Sequence, residues 1–276
     1  MGNLHGFSDG EYSRWQSVDL APTALIDGGD PNSNTHVLHA HERGATGGMR
    51  LQLAYASIQN RSGGAAHIGI GTRLDKAIWK AGQWVHATTT FTDDTTDFQD
   101  AGANDAALET TTNSDGFLVS STRKFNALAI NVGVASVGTP VRVLEYSAGT
   151  STWTAITNYI SFAGSGAVYA TGENVIVWIP PANWAVMAAG HGTGVPVGEY
   201  GIRIRATTAS TTAGVATTMS VHRLYFLLEG LADNNIYEIP LGGMYFPMEQ
   251  VGDALVSYIS VVNNQNRVTA LVRARG

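Results

Sequence analysis

Residues 49–58, MRLQLAYASI, set apolar side chains on alternate positions: Met49, Leu51, Leu53 and Tyr55 share one side of an extended chain, with Arg50 and Gln52 opposite. A period of two marks a half-buried strand, because successive strand side chains point to opposite faces. EYGIRIRA repeats the device, with Tyr200, Ile202, Ile204 and Ala206 inward and Arg203 and Arg205 outward. By contrast, VHRLYFLLEG and NVIVWI are apolar on both faces over 224–228 and 175–179, as expected of central strands covered on two sides. Between 117 and 230 the candidates FLVSS, FNALAINV, VRVLEYS, WTAIT, ENVIVWI, EYGIRIRA and VHRLYFLLE follow one another with Gly, Pro, Asn or Ser in nearly every gap. The fold class is therefore all-β: an antiparallel β-sandwich, jelly-roll-like, with an irregular N-terminal arm and little helix.

Helical cues are few. LDKAIWKAG aligns Leu74, Ala77, Ile78 and Ala81 on one helical stripe, although Trp79 and Trp84 around KAGQ suit a hairpin equally. NWAVMAAG, with Asn183 as cap and Gly190 as stop, suits one short helical turn. Four segments are expected: an arm at 1–35, an N-terminal β region at 36–111, the sandwich at 112–232, and a hairpin at 233–276 that rejoins the N-terminal region. The boundary is drawn through 92–115, which is polar, acidic and poor in strand formers.

Charge narrows the function classes. Only 14% of residues are charged and the net charge is −6, against roughly 25% charged in an ordinary soluble domain. No basic stripe is present for phosphate contacts, so no nucleic-acid partner is expected. Apolar runs are cut far short of the ~20 residues a bilayer helix needs, so no membrane span is expected. The opening MGNLHGFSDG lacks the basic and apolar regions of an export signal. Cysteine is absent, which removes disulfides and thiolate chemistry. Lysine occurs only at Lys76, Lys80 and Lys124, so 13 of the 16 cations are Arg. Free sheet edges are usually blunted with Lys, whereas Arg is enriched at interfaces, so much of this surface is expected to be covered in an assembly.

Candidate sites are weak one by one. His36, His39, His41 and Glu42 in HVLHAHE suggest a metal centre of a β-barrel enzyme, but Ala45 and Thr46 stand where the cupin glutamate belongs, which favours a polar strand. DPNSN offers Asp30, Asn32 and Asn34 at calcium-loop spacing, yet Thr35 replaces the required Gly and His41 the required Glu. Asp93, Asp94, Asp97 and Asp100 read as a solvated acidic loop, with calcium binding left open. Gly69 and Gly71 lack the third glycine of a dinucleotide fingerprint, and Ser165 lacks the spacing of a nucleophile elbow. No catalytic residue, cofactor or metal ligand is assigned. Trp153 and Trp184 are candidate sugar-stacking residues, Trp153 expected at the surface and Trp184 undecided, whereas Trp178 belongs in the core. The uncharged stretch after Arg205 in RATTASTTAGVATT is read as a long loop lying against a neighbouring subunit, with Arg205, Thr207, Thr208, Thr211, Thr212 and Val215 as interface residues.

The succession VRVLEYSAGTSTWTAITNYISF, GENVIVWIPPANW, GVPVGEYGIRIRATT and VHRLYFL, rich in Thr, Ala and Gly, resembles the β-sandwich virion proteins of tailed bacteriophages, and among them the capsid decoration (cement) proteins. The resemblance covers about 112–230. It implies a non-enzymatic homotrimer on the capsid exterior, assembled in the host cytoplasm and bound to the major capsid protein. A tail or baseplate fibre module that binds host glycan shares this texture and is the alternative.

Overall fold

The structure is a computed structural model that describes residues 11–20, 38–39, 50–59, 66–102, 105–161, 169–231, 236–246, 255–261 and 266–275. The chain divides into two compact units, Met1–Arg73 with Leu224–Gly276, and Leu74–Arg223. Strands β1 (Glu11–Leu20), β2 (Leu38–His39), β3 (Arg50–Gln59) and β4 (Ala66–Arg73) open the first unit. The second unit holds β5 (Trp79–Val85), β6 (Thr90–Asp93), helix α1 (Thr95–Gln99), β7 (Ala106–Ala107), β8 (Gly116–Ser121), β9 (Ala127–Val134) and β10 (Val141–Ala148). It continues through β11 (Thr152–Ala155), β12 (Tyr159–Ser161), β13 (Gly172–Trp178), β14 (Tyr200–Thr208) and the first part of β15 (Val215–Leu231). Strands β16 (Ile236–Phe246), β17 (Leu255–Val261) and β18 (Asn266–Arg275) return to the first unit.

In the first unit, β1, β18, β3 and β16 form one antiparallel sheet, and β4, β17 and β2 lie side by side in another. Strand β1 runs in unbroken register along β18, from Glu11 opposite Arg275 to Leu20 opposite Asn266. The arm is thus a strand over 11–20; its sequence shows no clear alternation, and pairing with β18 supplies what local pattern does not. The expected terminal hairpin does not form, since β17 pairs with β4 and β2 whereas β18 lies between β1 and β3. Pro240 sits in the edge strand β16, where the register shifts between Pro240 and Met244, a place that tolerates a missing amide hydrogen.

The second unit is an antiparallel β-sandwich. One sheet has the order β11-β10-β14-β8-β5-β6; the facing sheet runs β12-β13-β9-β15, with β7 pairing the start of β15. Alternation builds the core: Trp79, Phe117, Val119, Leu144, Ile202 and Ile204 project from one sheet to meet Leu128, Ile130, Ile176, Trp178, Met219 and Val221 from the other. Strand β8 is buried on both faces, and β13 is buried along 174–178, as its own two-sided apolar run requires.

The domain boundary drawn through 92–115 is corrected. That segment contains the end of β6, α1 and β7, and three of its apolar residues, Phe98, Ala106 and Leu108, are buried in the sandwich core, Phe98 with its ring 5.9 Å from that of Phe117. Composition pointed to a linker because three anchors are few among so many polar residues. The helical cue at LDKAIWKAG yields a single 3-10 turn at Lys76–Ile78, capped by Asp75, before β5 begins. Trp79 and Trp84 lie on that one strand, five positions apart and hence on opposite faces. NWAVMAAG is mostly extended, with bridges from Trp184 to Ala148 and from Val186 to Tyr200, and the only turn of helix there is Ala189–His191. A Phe98→Ala substitution should cost about 3–5 kcal/mol in urea unfolding, as for a buried phenylalanine, whereas a linker residue would cost almost nothing.

Candidate interaction surface

One end of the sandwich gathers the turn at 86–89, the segment 108–115, the β9–β10 connection and the β14–β15 connection. The threonine-rich stretch is shorter as a loop than its composition suggests, because β14 extends to Thr208 and β15 starts at Val215. Its residues are tied to their own chain. Thr207 Oγ1 donates to the Val141 carbonyl (3.0 Å), Ala209 N to Asn113 Oδ1 (2.7 Å), and Thr211 N and Oγ1 to the Val137 carbonyl (2.8 and 3.1 Å). Val137 in turn bridges Thr212.

Beneath this end lies a buried ion pair. Arg142 donates from Nε and Nη2 to the two oxygens of Glu109 (2.9 and 2.6 Å), and Nη2 also donates to Ser136 Oγ. Its guanidinium lies 4.0 Å over the Tyr169 ring. Burial pushes the Tyr169 phenol up, beyond the range where tyrosine ordinarily ionises, with Arg142 opposing. A two-pronged guanidinium–carboxylate contact fixes orientation as well as charge, so it pins 108–115 to the start of β10.

The consequence is an outer surface with little charge, although exposed Asp105 lies beside Gly133 and Thr217 at the margin of this end. Within 106–115, 130–141 and 206–219 the ionisable side chains are Glu109 and Asp115, both buried. Val134, Val137 and Val141 are 45%, 54% and 55% exposed, among exposed Thr207, Thr208, Thr211 and Thr212, with Val215 half-buried. Thr89 and Ser114 at the same end adopt φ of 51° and 75°, conformations uncommon for residues other than glycine, and most so for β-branched Thr89.

Arg205 is placed differently from its neighbours in the stretch. It donates from Nε and Nη2 to Glu145 (2.9 and 3.1 Å), and Arg203 Nε donates to the same carboxylate at 2.6 Å. The Arg203 guanidinium lies 4.9 Å from the Trp84 ring centre and 4.5 Å from that of Trp153. This face of the six-stranded sheet, expected to be solvated, is covered by a strap over 181–199. Met187 and Val195 from the strap cluster with Trp84, Phe91 and Leu118. Gly192 is required where the strap crosses Trp84, since a Cβ there would come within 2.7 Å of the indole. Sequence reasoning missed this cluster; the available signal was the paired Arg203 and Arg205 matched by Glu145 in the alternating VRVLEYS.

The strap also decides the tryptophans. Trp184 is 3% exposed, packs on Phe125 and Tyr200 and donates Nε1 to the Gly201 carbonyl, so it presents no face to a sugar. Trp153 is half-buried, held by its Nε1 bond to the His191 carbonyl and by edge contacts to Trp84 and His191. Trp178 is in the core.

The acidic residues serve local structure. Asp93 accepts from the backbone and hydroxyl of Thr95, Asp100 accepts from Gly102 N, and burial followed by Asp97 and Asp93 raises the Asp94 carboxyl. His39 lies in β2 opposite Leu255, and Gly69 and Gly71 lie within β4. His36, His41, Glu42, Asp30, Asn32, Asn34 and Ser165 fall outside the described residues. Among the described residues no three His, Asp or Glu side chains converge to hold a metal ion.

Burial pushes Glu145 up, but its bonds to Arg205 and Arg203 outweigh this and hold it below the usual carboxylate range. Glu145→Gln would strand two guanidinium groups and should remove about 3–5 kcal/mol of stability, measured by denaturant unfolding. Burial, then Arg205 and Arg203, hold the His86 imidazole below its ordinary 6.5. The folded chain therefore keeps His86 neutral where the unfolded chain takes up a proton, so stability should fall as pH drops below 6.5. His86→Gln should flatten that part of a stability-against-pH curve.

No family model matches the chain, and neither a curated protein nor a solved structure matches it.

Proposed function

We propose that this chain is a non-enzymatic structural subunit of a phage virion, a homotrimer that decorates the capsid exterior and stabilises it through contacts between subunits and with the major capsid protein. The observation that carries this reading is the exposed, charge-poor Thr and Val end of the sandwich, braced from beneath by Glu109 and Arg142. Such a surface has little to offer a charged ligand. It suits a flat protein neighbour: valines lose water on contact, and threonine hydroxyls both donate and accept, so they adapt to backbone groups of either kind. Short side chains already held by intrachain hydrogen bonds lose little freedom when covered.

The resemblance of 112–230 to virion β-sandwiches supplies the class of assembly. The Glu145 and Glu109 clusters are closed ion pairs whose carboxylates are spent on arginines, and they serve the fold in this reading. A glycan-binding fibre module is the competing reading, resting on Trp153 alone.

Val137→Asp and Thr208→Glu place charge on the exposed end without touching the core. Each should abolish co-sedimentation with capsids while leaving the melting temperature within a degree or two, as exposed substitutions do. Particle imaging with this chain's density on the tail and not on the head would overturn the proposal, as would glycan-array binding lost in Trp153→Ala.

A further inference from the structure

The outermost strand of the six-stranded sheet, β11, has an unpaired edge among the described residues. In its pairing with β10, Ile156 N donates to the Leu144 carbonyl, and Ala155 faces Glu145, Thr154 faces Tyr146 and Trp153 faces Ser147. Antiparallel pairs alternate between bonded and non-bonded positions, so Thr154 bonds inward to Tyr146. Trp153 and Ala155 therefore direct their amides and carbonyls away from the sheet, where no residue meets them among the described residues. At the far edge, by contrast, Phe91 N donates to the Thr193 carbonyl and Thr193 N to the Thr89 carbonyl, so the strap closes β6.

An open edge is a template for another strand, and proteins ordinarily protect one with lysine, proline or a bulge. Strand β11 has none of these: its sequence is TWTA, with a continuous register. Residues 146–172, which include both β11 and β12, carry no charge at all in a chain of net charge −6. Two copies that repel elsewhere can approach along this side without like-charge opposition.

We propose that β11 pairs with β11 of a second copy, antiparallel, about a two-fold axis at Thr154. That axis sets Trp153 against the second copy's Ala155 and the reverse, so the outward amides and carbonyls of both residues are satisfied on both chains. The uncharged side lets copies of a chain of net charge −6 meet here without opposition, and about such an axis the contact is self-complementary. On a shell it would join neighbouring trimers, but it does not depend on the shell reading.

The test is sedimentation of the full chain over a concentration series, with hydrogen exchange at 152–155. Association should strengthen with concentration and protect the Trp153 and Ala155 amides. Ala155→Pro removes an outward donor and spares the β10 ladder; it should weaken this step about tenfold or more with the fold intact, since bonds are lost on both chains. Thr152→Lys, which adds a charge at an exposed edge position, should do the same and serves if the proline variant fails to fold. Failure to associate at any concentration would overturn the proposal. So would association indifferent to both variants, or association lost in Val137→Asp alone, which would place the contact at the end of the sandwich. Loss of capsid binding in Val137→Asp with the concentration-dependent step retained would leave β11 pairing standing by itself.

Discussion

Glu145 holds two arginines on the outer face of the six-stranded sheet, and much of the second unit's form depends on that contact. Arg203 is 7% exposed at its side chain and Glu145 8%, so neither charge is tolerable without the other. Trp84 and Trp153 flank the Arg203 guanidinium, and the strap over 181–199 completes the enclosure. A sandwich sheet ordinarily buries one face. Here β8 and β14 bury two, so their position is over-determined, and the loops at either end start from fixed points.

That arrangement explains what could be read from the sequence and what could not. Period-two alternation located most strands of the sandwich, because it reports directly on which side of a strand faces the core. It placed Ile202 and Ile204 inward correctly, yet it could not tell that the other side, Arg203 and Arg205, would be covered as well. A charged residue at alternate positions normally means water; only a carboxylate on the neighbouring strand makes it mean burial, and strand adjacency is not written in local pattern. The same limit explains Phe98, whose isolated apolar side chain in an acidic segment becomes a core residue through contact with Phe117. It also explains the terminal strands, where β17 and β18 are neighbours in sequence and belong to different sheets. The candidate surface was legible in part: the absence of charge after Arg205 was plain, but its companions Val134, Val137 and Val141 come from a distant connection that only the topology brings alongside.

The low charge content acquires a sharper meaning in three dimensions. Arg142, Arg203, Arg205, Glu109 and Glu145 are engaged in buried or half-buried pairs, so they contribute nothing to repulsion between copies at contact distance. The described exterior of the second unit is therefore poorer in effective charge than its sequence implies. Buried pairs of this kind add little net stability over apolar packing, and their value lies in fixing geometry. Fixed geometry is what a weak interface needs, because a preorganised surface spends less of its contact energy on ordering itself.

Thr89 and Ser114 extend this argument. The chain uses glycine at Gly138, Gly149, Gly172, Gly192, Gly194 and Gly198 where φ is positive, so glycine is its ordinary solution to that conformation. At the charge-poor end it keeps two hydroxyl side chains instead, accepting backbone strain on the order of 1 kcal/mol or more at each. Thr89 Oγ1 bonds only to the adjacent Thr88 carbonyl, and Ser114 Oγ takes one long bond from Arg205. The backbone holds both residues in place: Thr89 N donates to the His86 carbonyl while its own carbonyl accepts from Thr193 N, and Ser114 N donates to the Ala206 carbonyl. On the proposed reading a partner would meet these exposed hydroxyls, and in a repeated lattice several such modest contacts would combine at high effective concentration, so no single residue would have to be conspicuous.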